Sequence, residues 1–252
     1  MIKLTYILSF SLLCASHMLL ANEPVKLRFC YEDKQLLPYY AGNGAQIPTP
    51  PGATIEHLQE GIALVPQLKV TFERRPWLRC LQLLEQNKVD AVVATFDKSR
   101  LSFAIFPLEN DNLPDSRLAL NQHATCLVQR AGDNVMQRIK DGIVMARPLG
   151  YVIHEFPAGV SIMPVQSQQQ ALHLLQQGRV DATTTTCEIN TVQLPNMLNE
   201  QLEVIHPPLY ESTGYLVFSK AFYNQHSKLA TELWRTLQQT QNPNRYYQYL
   251  PQ

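Results

Sequence analysis

Four of the five cysteines (Cys14 falls in the apolar N-terminal stretch), a recurring aspartate and five of the seven histidines are the first groups in this chain that could do chemistry. Cys30, Cys80, Cys126 and Cys187 stand far apart and none belongs to a Cys-x-x-Cys pair. Neither a zinc knuckle nor a thioredoxin-like redox centre is therefore indicated. An even set of cysteines in an exported chain points to disulfides, with free buried thiols as the alternative, and four cysteines allow three pairings. Asp90 and Asp181 invite a reading as paired catalytic carboxylates. Each opens a strand, however, at the end opposite to where parallel sheets hold ligands, and both are read as structural. His123, His154, His173, His206 and His226 show no ligand spacing. There is no His-Glu-x-x-His, no nucleophile elbow and no phosphate loop, so no metal, cofactor or catalytic residue is expected.

The elements that would position such groups are written twice. Cys80–Ala91 (CLQLLEQNKVDA) recurs as Ala171–Ala182 (ALHLLQQGRVDA). Each copy is an amphipathic helix, then a residue that tolerates the left-handed region (Asn87 or Gly178), a basic residue, and Val-Asp-Ala opening a strand. A helix feeding directly into a strand is half of a βαβ unit and implies parallel sheet. Two such units predict two similar lobes with a ligand cleft between them.

The chain has 252 residues, 45% hydrophobic and 17% charged, with zero formal net charge. It can bury a core, and no basic field argues for nucleic acid. Lys3, the apolar stretch from Leu4 and the small residue Ala21 read as a signal peptide over residues 1–21. Export then makes the cysteines disulfide formers. The preferred pairs are Cys30–Cys80 and Cys126–Cys187, because each would lie inside one lobe and leave the lobes free to move.

In chain order, Val25 to Tyr31 is the first strand, and Leu37 to Gly52, with four prolines, is a long covering loop. A helix follows with Thr54 as its cap, then a strand over Leu68 to Phe72 and a helix begun by Pro76. The third strand runs from Val89 to Phe96. Lobe two holds strands at Thr125–Val128, Ile143–Ala146, Val160–Val165 and from Val180 on. Helices are expected near Gly150-Tyr151, after Ser167 and over Glu188–Leu198. Gly214 to Ser219, Phe222 to Leu237 and an aromatic tail complete the chain.

Arg75-Pro76-Trp77 before the leucine-rich helix, Lys88-Val89-Asp90-Ala91, and Asp97-Lys98-Ser99-Arg100 before an aromatic-Pro stretch resemble the family 3 solute-binding proteins. Their order over nearly all of the mature chain carries the resemblance. It implies an α/β, two-lobed periplasmic-binding-protein-like (type II) fold, each lobe a mainly parallel sheet flanked by helices. Two crossing segments, near Leu118–Gln122 and Ile205–Leu209, would join lobe 1 (residues 22–118 and 208–252) to lobe 2 (residues 119–207). Separate sheets in the two halves are expected.

The resemblance also implies a ligand site. Arg100 matches the arginine that grips a ligand carboxylate, a role suited to a planar, always-charged, bidentate donor. Thr95 would add a hydroxyl and an amide at the same strand end. Tyr31 and Trp77 would form an apolar wall. At Gly150-Tyr151, backbone N–H groups at a helix start would meet an anion. Thr186 or Glu188 stands where such proteins place an acid for an ammonium group. The threonines at positions 183–186 depart from that pattern and put an α-amino-acid ligand in doubt.

The implied function is a monomeric periplasmic binder of a small polar ligand, an amino acid or similar carboxylate, serving an ABC importer through an inner-membrane permease. A sensory binder reporting to a membrane signalling partner is the first alternative. A cyclohexadienyl-dehydratase-like enzyme using Glu32 or Glu188 as acid or base is the second.

Overall fold

The computed structural model describes residues 23–109, 112–152, 156–196 and 198–250. The expected signal peptide and His154 lie outside the described residues. Lobe one begins with β1 (Val25–Glu32), α1 (Ala53–Ala63), β2 (Leu68–Arg75), α2 (Trp77–Glu85), β3 (Ala91–Thr95) and the short β4 (Ala104–Ile105). β1 pairs in parallel with both β2 and β3. Alternation along β1 sends Leu27, Phe29 and Tyr31 to one core cluster and Cys30 to another, so helices cover both faces of the sheet.

The chain leaves lobe one along β5 (Asn121–Arg130). Lobe two adds α3 (Val135–Arg138), β6 (Ile143–Pro148), β7 (Val160–Val165), α4 (Gln168–Gln176), β8 (Thr183–Ile189) and β9 (Val192–Gln193). β10 (Leu202–Ser219) returns, and α5 (Lys220–Gln239) and α6 (Pro243–Tyr247) finish against lobe one. Trp234 on α5 is buried there and donates its indole N–H to the Leu216 carbonyl at 2.8 Å.

The two-lobed α/β architecture is present, with one difference from the expectation of separate sheets. The main ladder runs unbroken in the order β2-β1-β3-β10-β5-β8-β9. The reason is that β5 and β10 are themselves the crossing segments and pair antiparallel along most of their lengths. Their register shifts between Ile205 and Tyr210. Pro207 and Pro208 fall there, and proline has no N–H to give a ladder. In lobe two β6 pairs in parallel with β7 and makes a parallel bridge, Met145 to Ala182, at the lead-in to β8, while β8 itself pairs antiparallel with β5.

The repeated motif does the same work in both lobes. Asn87 (φ 54°) and Gly178 (φ 68°) cap their helices in the left-handed region. Asp90 then accepts the Arg28 backbone N–H at 2.8 Å, and Asp181 accepts that of Val144 at 2.9 Å. Each aspartate thus anchors its turn to the neighbouring parallel strand and also pairs with an arginine, Arg28 or Arg138. Ser167 caps α4 by accepting from Gln170 N–H. The disulfides are Cys30–Cys80, tying β1 to α2, and Cys126–Cys187, tying β5 to β8.

Three local expectations are corrected. Gly52, not Thr54, stands at the N-cap of α1. The helix expected over Glu188–Leu198 is absent from the described part of that stretch. β8 runs on to Ile189 and turns through Asn190 (φ 49°) and Thr191 (φ 68°) into β9. Two successive left-handed residues make the tight hairpin turn that matches strand twist. Residues 149–152 form a turn and not the start of a helix.

Candidate functional site

The carboxyl ends of β1, β3 and β6 converge on a cavity of about 700 Å³ between the lobes. Arg100, Thr95, Trp77, Tyr151 and Thr186 all line it. Tyr31 and Glu188 are not among its lining residues. The pleat of β1 turns Tyr31 into the lobe-one core, where its ring meets Tyr40 at 5.2 Å and lies under the Arg74 guanidinium. The next residue, Glu32, reaches the cavity instead. Glu188 lies in the β8–β9 hairpin, opposite Ala124 and Gln193.

The long loop that walls one side is held by a buried cation. Arg74, 2% exposed, donates to the carbonyls of Glu32 (3.2 Å), Gln46 (3.1 Å) and Gly42 (2.7 Å). Tyr39 and Tyr40 of this loop line the cavity. Gly52 (φ 111°) closes the loop onto α1, and a Cβ there would sit 2.4 Å from the Tyr39 carbonyl oxygen.

Across the cleft, the turn at Gly150-Tyr151 meets lobe one through three hydrogen bonds. Arg100 donates to the Gly150 carbonyl at 2.7 Å and Trp77 Nε1 donates to the same oxygen at 3.1 Å. The Tyr151 hydroxyl donates to the Glu32 carboxylate at 3.0 Å. The expectation that Gly150 would offer a backbone N–H to an anion is therefore corrected. With no helix opening there, the turn presents its carbonyl, and a carbonyl attracts cations and N–H donors. Arg100 also donates to the Thr95 carbonyl at 2.7 Å and lies over the Trp77 ring, its charge centre 5.9 Å from the centroid. Burial lowers the pKa of Arg100, with Asp97 opposing the effect.

Two further groups belong to the site. Burial pushes the Glu32 carboxyl up to about 7, although the bond donated by Tyr151 pulls it back. Arg147, at the carboxyl end of β6, is 4% exposed and lines the cavity. It donates to the Thr184 hydroxyl (2.6 Å), the Tyr210 hydroxyl (2.8 Å) and the Val152 carbonyl (2.7 Å). Sequence reasoning passed over Arg147. The signal was an arginine at a predicted strand's carboxyl end, in Ala146-Arg147-Pro148.

Cys126, Cys187 and His206 bring their ligand atoms within 4.8 Å of one another. Both sulfurs are engaged in a disulfide, which leaves His206 as the single ligand there.

No family model matches the chain, and no curated protein does. Many solved structures share its fold. One is a histidine kinase sensor domain with similarity to periplasmic binding proteins, 14% identical, covering 90% of this chain and 95% of its own, with TM-score 0.65. Another is the substrate-binding protein of an amino acid ABC transporter, 14% identical, covering 89% and 97%, with TM-score 0.63. A third is the arginine-bound form of truncated ArgBP from T. maritima, 13% identical, covering 85% and 94%, with TM-score 0.59. At these identities the likeness establishes the fold, which is the two-lobed one of periplasmic binding proteins.

Proposed function

We propose that this protein is an exported solute-binding protein of family 3 that captures a small polar ligand in its inter-lobe cleft. The lobes divide at residues 118–119 and 207–208, with residues 1–21 a removed signal peptide and the mature protein monomeric in the periplasm. The observation that carries the reading is the cavity itself. Its walls come from both lobes, and the lobes meet there through Arg100, Trp77, Glu32 and the Gly150-Tyr151 turn. A cleft closed by a few polar contacts between hinged bodies can admit a guest and then exclude water from it. No helix among the described residues is long and apolar enough to cross a membrane.

The delivery partner is a permease in the importer reading. Likeness to a kinase sensor domain supports the second reading, in which the liganded form reports to a membrane signalling protein. In either case Arg100, Thr95, Trp77, Tyr151 and Thr186 contact or enclose the guest.

Native mass spectrometry of the protein taken from the periplasm without denaturation tests this. A stoichiometric small molecule that raises the melting temperature when added back supports the reading. Protein that carries nothing and whose melting temperature moves with no periplasmic metabolite overturns it. Consumption of the co-purified molecule would instead favour an enzyme, with Glu32 as the acid whose titration near 7 suits proton transfer.

A further inference from the structure

Arg147 is a buried cation with no carboxylate partner among the described residues. It is 4% exposed and forms no ion pair among the described residues. Its bonded partners among the described residues, Thr184, Tyr210 and Val152, are all neutral oxygens, and its Nε has no partner there. The strand that faces it, through Thr184, Thr185 and Thr186, lines the cavity with residues that carry no charge. Of the acids lining the cavity, Glu32 is engaged by Tyr151, and Glu203 accepts from Gln129. A second guanidinium, Arg100, enters the same space from lobe one. Burying a cation without a counter-charge is costly, and the cost falls when a guest brings the missing negative charge. The two guanidiniums also repel a guest ammonium group.

We propose that the natural guest is a carboxylic acid without an ammonium group, and that Arg147 receives its carboxylate. The inference rests on the binding reading above and narrows it, since it separates deaminated acids from the amino acids that fit the same volume. Arg147 is a ligand-binding residue supplied by lobe two, facing Arg100 from lobe one. Glu32 favours an anionic guest because it takes up a proton near 7, which removes a negative charge from the wall.

The test is calorimetric titration and melting at pH 7 of the mature chain with matched pairs. The probes are succinate and aspartate, glutarate and glutamate, and 3-phenylpropionate and phenylalanine. The expected result is saturable binding of at least one amine-free acid, with its amino partner about tenfold weaker or more. Arg147→Gln should weaken that acid by about tenfold or more, and Arg147→Lys, which keeps the charge, should recover part of the loss. Equal or tighter binding of the amino partners overturns the inference and leaves the binding reading in place. Binding of neither member of any pair also overturns it, and the binding reading is then judged by co-purification alone. If Arg147→Gln does not fold, the comparison within pairs on the unaltered protein still decides.

Discussion

The hydroxyl of Tyr151 on lobe two donates to the carboxylate of Glu32 on lobe one at 3.0 Å. This bond joins the lobes through a group whose charge changes close to neutral pH. Glu32 is 4% exposed, and burial raises its pKa to about 7 from an ordinary value of 4.5. The raised value means the folded protein holds the proton more tightly than the unfolded chain. Its contribution to stability is full below about 4.5 and is lost as pH rises through about 7. The loss is on the order of 3 kcal/mol. Urea unfolding between pH 5 and 8 should show this downward slope in the unaltered protein and a flatter one in Glu32→Gln. Parallel curves for the two proteins would remove Glu32 as the cause.

Gly150 sits at φ 80°, and a Cβ added there would lie 3.0 Å from Cδ1 of Trp77. Gly150→Ala should therefore displace the turn that accepts from both Arg100 and Trp77. A more open average shape is expected, read as a larger radius of gyration by small-angle scattering, with ligand affinity lowered in step. A variant that scatters like the unaltered protein and binds equally well would show that this contact does not hold the lobes together.

Arg100 lines the cavity and bridges the lobes at once. Arg100→Ala should abolish the rise in melting temperature produced by the co-purified ligand. Retention of the full rise would take Arg100 out of the ligand site.

The disulfides close spans of 50 and 61 residues. By loop-closure entropy each should contribute about 4 kcal/mol, an upper value because reduced chains keep some structure. Serine pairs at Cys30 and Cys80, or at Cys126 and Cys187, should lower the urea midpoint accordingly. Since each bridge lies within one lobe, ligand affinity measured on the folded variant should change little. A large affinity loss in either variant would mean that the bridge positions site residues.

Arg74 donates to two carbonyls of the loop that carries Tyr39 and Tyr40, those of Gly42 and Gln46, and to the Glu32 carbonyl at the end of β1. Arg74→Ala leaves those oxygens without their donor and should cost about 2–4 kcal/mol. Amide exchange should accelerate first between residues 36 and 52. Unchanged protection there would show that the loop is held by its aromatic packing alone.

The elements were easiest to read where a local pattern had one structural solution. The twin helix–turn–strand motif told its own caps, and Asn87 and Gly178 take the left-handed geometry that their types favour. Intra-lobe disulfides followed once two lobes were recognised. The hairpin at Asn190-Thr191 was missed because neither residue is the glycine that usually marks such a turn. Tyr31 was misplaced by one residue of pleat. A strand end reveals its types but not which face meets the cleft, and a shift of one exchanges Tyr31 for Glu32.

By itself, then, the amino-acid order determined the paired α/β halves, their caps and staples, and the residue types that gather at strand ends, because these depend on near-neighbour spacing. Folding in three dimensions decided the rest. It left Arg147 buried with no carboxylate partner among the described residues, turned the Gly150 carbonyl toward Arg100, and merged the halves into one ladder through β5 and β10. Those outcomes depend on burial and on partners distant along the chain, and no local pattern records either.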